Sequence, residues 1–478
     1  MYFSDMIKQQ LKHDAPYAWF LKDHAKLSPL FRKKDIELLD EKLEGYIDCF
    51  VLSKKADDDI LDMLKLDDWG AVYVMARVAL EYNDDKAFET AVEAVKSREQ
   101  TKELAEALSL FSYPKIEEKL YQLITNQNPL IRTASIYVLD ILKIKIEPNL
   151  IYKLLQDDEI EVKIATIKLI GSHRLKEYTK EVEEYLKSED EELRFESAYT
   201  GCLLKSKESI FTLREFCFTQ TPYLREALAL LYYTLDDTKV YSLFQKIATK
   251  EFSPRIKAYN FAMSGFALES VPILLEKSKE FEKSLFSAEA ISFITGIDLD
   301  EEDLTREENL TQEEEKLLLD SQKADEETQD YEEDLPLPDS ELLIKWWQKE
   351  QKRYKPKTRY LAGREINIEN LQIVIEKGTQ PQIKLAKLIL ELRYNQKVNL
   401  SNQLFSLDSK EKKEEKKNIK ITYSPKTGDY IATLPKGHPQ TDNLKIEPFA
   451  YGFFREGEAF NYFGLEDYDV GEIVWVFE

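Results

Sequence analysis

The chain has 478 residues, a formal net charge of −23, 43% hydrophobic residues and only 14 glycines. That length holds a large core and more than one structural unit, and so little glycine suits helices packed on helices. The acidic excess argues against nucleic acid as the partner, because phosphate binding needs a basic patch. Mimicry of nucleic acid is a minor alternative to an acidic surface that keeps the chain soluble and steers encounters. Cys49, Cys202 and Cys217 are odd in number and sit in apolar helical runs, as buried reduced thiols do. A reducing compartment follows. Met1-Tyr2-Phe3-Ser4-Asp5 lacks the pattern of a signal peptide, and no apolar run approaches the ~20 residues of a membrane span. The expectation is a cytoplasmic protein without a membrane partner.

Residues 1–97 read as an N-terminal helical cap, which covers the first open face of a repeat stack. Within it, Trp69 to Leu80 is almost continuously apolar, which predicts a helix buried on most sides.

Over 98–297 a phrase recurs that opens each second helix: Asn128-Pro129-Leu130-Ile131-Arg132, Glu159 to Lys163, Asp190 to Arg194 and Thr221-Pro222-Tyr223-Leu224-Arg225. The cations Arg132, Lys163, Arg194 and Arg225 fall at three successive steps of 31 residues, and Lys257 follows one residue late. Fixed spacing of this kind marks a repeat architecture. Asn128, Asp190, Thr221 and Ser253 suit N-caps, whose side chains accept from free N–H groups of the first turn. Pro129, Pro222 and Pro254 suit the first helical position, where a missing N–H costs nothing. The cations read either as a basic stripe for an acidic ligand or as a structural ladder bonding acids and carbonyls of the preceding repeat. The structural reading is preferred. The phrase resembles that of short HEAT-like repeats; the signature phrases of ankyrin and tetratricopeptide repeats are absent.

Residues 298–340 break the pattern. Positions 298–339 hold 19 acidic residues against Arg306, Lys316 and Lys323. Such a run is a solvated linker or an acidic docking tail. It lacks the turn glycine of a calcium loop.

Helical repeats are expected to continue over 341–408. Trp346 and Trp347 lie on an apolar helical face, and the basic Arg353, Arg359 and Arg364 follow. Those five are the candidate partner-binding residues. At 380 the phrase returns as Gln380-Pro381-Gln382-Ile383-Lys384, which adds Lys384 to the ladder. A charged linker at 409–417 leads to 418–478, where the period changes from about 3.6 to 2. Runs at 419–423, 430–434, 449–453, 459–463 and 472–477 predict a small antiparallel β domain. The fold class is thus mostly α: an α-solenoid of short HEAT-like repeats with a C-terminal antiparallel β domain.

No catalytic constellation stands out. His13 and His24 have no third ligand at metal spacing, and phosphate loops, nucleophile elbows and Cys-x-x-Cys pairs are absent. No enzyme activity, metal or cofactor is expected.

Several runs taken in order resemble a family of uncharacterised bacterial HEAT-repeat proteins. They are His13 to Leu21, Leu38 to Asp48, Ile294-Thr295-Gly296-Ile297-Asp298-Leu299, Leu335 to Asp339, Trp346-Trp347, Arg359-Tyr360-Leu361-Ala362-Gly363 and Gly378-Thr379-Gln380. The resemblance spans 10–405 and leaves out the β tail. Genes of that family often lie near type VI secretion genes, so the resemblance implies a cytoplasmic scaffold or adaptor for an effector or spike protein. Lys384, and few arginines after Gly378, depart from the arginine-rich family pattern. An immunity protein or inhibitor that blocks a toxic enzyme through the acidic segment or β tail is the alternative.

Overall fold

The computed structural model describes residues 5–52, 69–110, 116–306, 311–312, 314, 316–317 and 334–394, with short strands between 420 and 477. Helix dominates them. The chain divides into two compact units: Met1–Leu21, Leu38–Lys119 and Phe405–Glu478 form one, Lys22–Glu37 and Leu120–Leu404 the other.

The helices run, in order, α1 (Asp5–Ala25), α2 (Lys33–Leu52), α3 (Ala71–Tyr82), α4 (Asp85–Glu93) and α5 (Arg98–Leu110). In the first unit α3 packs against α4 and α5. Residues Ala71 to Leu80 are all buried, Arg77 included, which pairs with Glu44 at 3.0 Å. Trp69 is a correction to the expected apolar run: it precedes the helix and is 55% exposed. Gly70 accounts for the break. Its φ is +91°, and a Cβ there would meet the Pro16 carbonyl oxygen at 2.4 Å, so only glycine lets the chain pass this close to α1. The start of α3 lacks a side-chain cap of its own. Buried Glu103 of α5 accepts instead from the N–H groups of Val72 at 2.9 Å and Tyr73 at 3.3 Å. A carboxylate is favoured there by the helix dipole as well. One turn on, Glu106 accepts from the Trp19 indole at 2.9 Å.

From α6 (Ile116–Leu123), whose first half still belongs to the first unit, short first helices alternate with second helices. The pairs are α6 and α7 (Pro129–Ile141), α8 (Pro148–Leu155) and α9 (Ile160–His173), α10 (Thr179–Glu184) and α11 (Glu191–Leu203). Then come α12 (Lys207–Phe216) and α13 (Leu224–Thr234), α14 (Asp237–Ala248) and α15 (Pro254–Ser264), α16 (Ala267–Lys277) and α17 (Phe281–Thr295). Each second helix packs on the next, from α7 through α9, α11, α13 and α15 to α17. Ala134, Ala165 and Ala227 are buried between them, and their small size keeps the backbones close.

Local chemistry explains the helix starts. Asn128, Asp190 and Ser253 accept from the N–H groups of Leu130, Leu193 and Ile256, and Pro129 and Pro254 lie in the first turn. Thr221-Pro222 behaves differently from expectation. α13 begins only at Leu224, and the Thr221 hydroxyl accepts from Tyr223 N–H at 3.4 Å. The Tyr223 ring stacks on Phe195 at 4.6 Å, which holds a turn where the phrase predicts the helix.

The chain continues through α18 (Ser340–Glu350), the hairpin β1 (Tyr360–Leu361) and β2 (Arg364–Glu365), α19 (Ile368–Lys377) and α20 (Gln380–Tyr394). Gln380-Pro381 does open a helix, but α20 packs on α19 and α13. Its buried set, from Gln382 to Glu391, covers more than one face. It lies across the ends of earlier second helices.

The C-terminal strands are β3 (Lys420–Tyr423), β4 (Tyr430–Leu434), β5 (Pro448–Phe449), β6 (Gly452–Phe453) and β7 (Ile473–Phe477). β3 pairs with β4, and β5 with β6, antiparallel; β4 pairs with β7 in parallel. The sheet is therefore mixed and not purely antiparallel. The expected linker at 409–417, the strand at 459–463 and most of the acidic run from 307 to 333 lie outside the described residues. Among the described residues no helix is long and apolar enough to cross a membrane.

Candidate functional site

The last-turn carbonyls of a helix have no partner within it. The segment from Asp339 to Tyr394 supplies partners to several second helices of this unit. Gly265 and Gly296 end α15 and α17 in the left-handed region, with φ of +73° and +71°, as C-terminal glycines do. The hairpin seats on those ends. Tyr360 N–H donates to Gly265 O at 2.8 Å, Ala362 to Phe293 O at 3.1 Å and Gly363 to Ile294 O at 2.9 Å. Gln382 of α20 donates to Ser292 O at 3.1 Å.

Two arginines converge on the end of α13. Arg359 donates through Nε to Ser264 O at 2.7 Å and through Nη1 to Tyr232 O at 2.8 Å and Asp237 at 3.2 Å. Its guanidinium lies 4.0 Å from the Tyr233 ring centre. Arg393 reaches Leu235 O at 3.1 Å and Asp237 at 2.6 Å. Burial pushes the Asp237 carboxyl up, but its bonds to the two arginines outweigh that and hold it below the usual range.

The candidate partner-binding residues lie in and around these contacts. Arg359 is 4% exposed and Trp347 is 5% exposed, so neither can offer its side chain to a partner. Trp347 lies 5.2 Å from Tyr354, which meets Tyr360 at 4.9 Å; together with Arg359 they anchor the hairpin. Trp346 is half-buried beside Trp347. Arg353 is exposed and paired with Glu350 at 2.6 Å, and Arg364 is exposed on β2.

The ladder arginines make structural bonds. Arg132 holds Asp157 with Nε at 3.0 Å and Nη2 at 2.7 Å, and Nη1 donates to the carbonyls of Asn126 and Gln127. Asp157 belongs to the following repeat, so this tie points forward and not to the preceding repeat. Partial burial pushes Asp157 up, and Arg132 more than reverses it. Arg194 donates to Ser188 O at 2.7 Å and lies over Phe216. Arg225 contacts Glu289 at 3.4 Å and lies over Tyr259. Lys163 and Lys257 are half-buried, and Lys384 is exposed. The lysines occupy the ladder positions without the fork that lets arginine bond two groups at once.

A charged network escaped the sequence reading. Arg174, held at φ +58° just past α9, pairs with Glu391 of α20. Lys143 bonds Asp140 at 3.0 Å and also Ser172, and His173 Nε2 lies 3.2 Å from Asp140. Lys168 and Glu196 pair at 2.9 Å along the same row of second helices. Glu391 Oε2 and Arg174 Nη1 are buried without a hydrogen-bond partner. Burial pushes the Glu391 carboxyl up to about 7, with Arg174 and Lys143 opposing the rise. Burial, with Glu391 adding to it, also pushes the Tyr199 phenol up. This arrangement can take up or release a proton near neutral pH. Its carboxylate follows the apolar Leu388-Ile389-Leu390 and is one of 90 acidic residues, so spacing alone gives it no mark.

The free thiols of Cys202 and Cys217 are buried, and burial pushes both up, Cys202 to about 12. Such thiols are poor nucleophiles. Among the described residues no group of three His, Cys, Asp or Glu side chains is placed to hold a metal ion. No protein-family model matches the chain, and comparison with curated proteins returns no match.

Proposed function

We propose that this chain is a non-enzymatic, cytoplasmic protein-binding scaffold built as an α-solenoid of HEAT-like repeats. The observation that carries the reading is the serial packing of second helices from α7 to α17. A stack of that kind sets side chains in rows and offers an extended surface to another protein. The bonding of Arg132 and Arg194 supports it, since each ties a helix to its own loop or to the next repeat. A partner among type VI secretion effectors or spike components rests on the family resemblance alone. The test is a cross-linked pull-down of the tagged full chain from its native cytoplasm, with retained proteins identified by mass. A protein retained in stoichiometric amount supports the scaffold; a bait that retains none sinks it.

A further inference from the structure

Tyr17, Phe20 and Trp69 form a row of rings in the first unit, with centroids 6.1 Å apart from Tyr17 to Phe20 and 5.0 Å from Phe20 to Trp69. Phe20 is half-buried, while Tyr17 is 57% exposed and Trp69 55% exposed. The two outer rings thus keep much of their apolar surface in water, although the fold buries Trp19 and Tyr73 close by. Nor does the row hang on a loose loop. Gly70, next to Trp69, passes so close to Pro16 that a Cβ would clash, and Tyr17 and Phe20 sit on the same helix as Pro16. The rings are therefore held in place before any partner arrives, which lowers the ordering cost of binding. Exposed Trp and Tyr on a fixed base are the residue types that dominate protein interfaces.

Charge selects the occupant. Acidic residues flank the row: half-buried Asp14 stands three residues before Tyr17 on α1, and Asp67 and Asp68 directly precede Trp69 in the sequence. That field repels nucleic acid and a second copy of the chain, and draws cationic segments. Arginine also stacks its planar guanidinium on aromatic faces. We infer that the Tyr17–Phe20–Trp69 row is a docking platform for an arginine-containing basic segment of a partner protein.

This goes beyond the scaffold reading by fixing a surface and a partner chemistry. The test titrates the full chain into a fluorescently labelled oligoarginine peptide and follows anisotropy. Oligolysine, a labelled DNA single strand and the chain alone in sedimentation serve as the other arms. The expected result is binding of oligoarginine that exceeds that of oligolysine, with no DNA binding and no self-association. The pair Tyr17→Ala and Trp69→Ala, both at exposed positions, should weaken oligoarginine binding about tenfold or more while leaving the salt dependence in place. Tyr17→Phe with Trp69→Phe should restore most of it. Unchanged binding by the alanine pair assigns the affinity to acidic residues elsewhere and overturns the proposal, as does DNA binding or self-association lost with the same pair. In the pull-down, a partner that survives the alanine pair leaves the scaffold standing and removes this platform, whereas no partner with the wild-type chain removes the scaffold itself.

Discussion

Arg359 shows how much one side chain can hold. It is buried, and its donors serve Ser264 O, Tyr232 O, Met263 O and Asp237. Arg359→Met leaves those carbonyls short of donors and is expected to cost about 1–3 kcal/mol, the range for a buried polar group left without its partner. Arg359→Lys should recover little of it, because an ammonium cannot reproduce a planar fork. Urea denaturation of the full chain measures both, and a methionine variant as stable as the wild type would refute the assignment. Glu391 makes a prediction of opposite character. It is faced by Arg174 past the end of α9, by Lys143 and Asp140 at the end of α7, and by Tyr199 of α11. Its carboxyl moves from 4.5 to about 7 on folding, by burial first. Between those values the folded chain keeps a proton that the unfolded chain has lost. The stability from this group is therefore full below about pH 4.5 and is lost as pH rises through about 7. Wild type should lose about 1–3 kcal/mol more than Glu391→Gln between about pH 5 and 8. Parallel stability profiles for the two proteins contradict this. Asp237 works in the other direction: its carboxyl is held low, so its contribution persists until strongly acid pH.

At the scale of elements, the hairpin depends on backbone approach that only glycine allows. Gly363 has φ +73°, and a Cβ there would lie 2.3 Å from the Thr295 carbonyl oxygen. Gly363→Ala is expected to destabilise the chain by more than about 1 kcal/mol. Gly45 is the contrast: it lies exposed within α2, and a Cβ there would meet nothing within 4 Å. Gly45→Ala should stabilise by about 0.5–1 kcal/mol. Thermal unfolding of the two variants checks the signs, and a neutral Gly363→Ala would show that the hairpin shifts freely. The same elements show what local sequence could and could not reveal. The caps at Asn128, Asp190 and Ser253 were legible, because capping is chemistry between neighbours in the chain. The delayed start of α13 was not, since it depends on Tyr223 meeting Phe195 from another helix. Arg359 and Trp347 drew notice as surface candidates for a related reason. Their residue types suit an interface, and only tertiary packing shows that the interface is inside the chain. Trp69 erred the other way, placed in a buried run until the turn at Gly70 left it outside.

For the second unit as a whole, serial packing alone predicts gradual loss of structure from an end. Helices that touch mainly their neighbours open one pair at a time. The segment Asp339–Tyr394 changes that expectation. Gln382 bonds the end of α17, the hairpin bonds the ends of α15 and α17, Arg359 and Arg393 bond the end of α13, and Glu391 pairs with Arg174 past α9. One continuous stretch therefore ties together helices that do not all touch each other. An opening of α13, α15 or α17 must release these bonds, so the three should share one opening free energy in native-state hydrogen exchange. Arg393→Ala removes the tie to Tyr232, Tyr233 and Leu235 while leaving Arg359 in place. It should lower protection of α13 amides selectively and separate their opening from that of α17. A graded protection from α7 to α17 in the wild type, unaltered by Arg393→Ala, would mean that the stack opens by neighbours alone and that the capping segment only fills space.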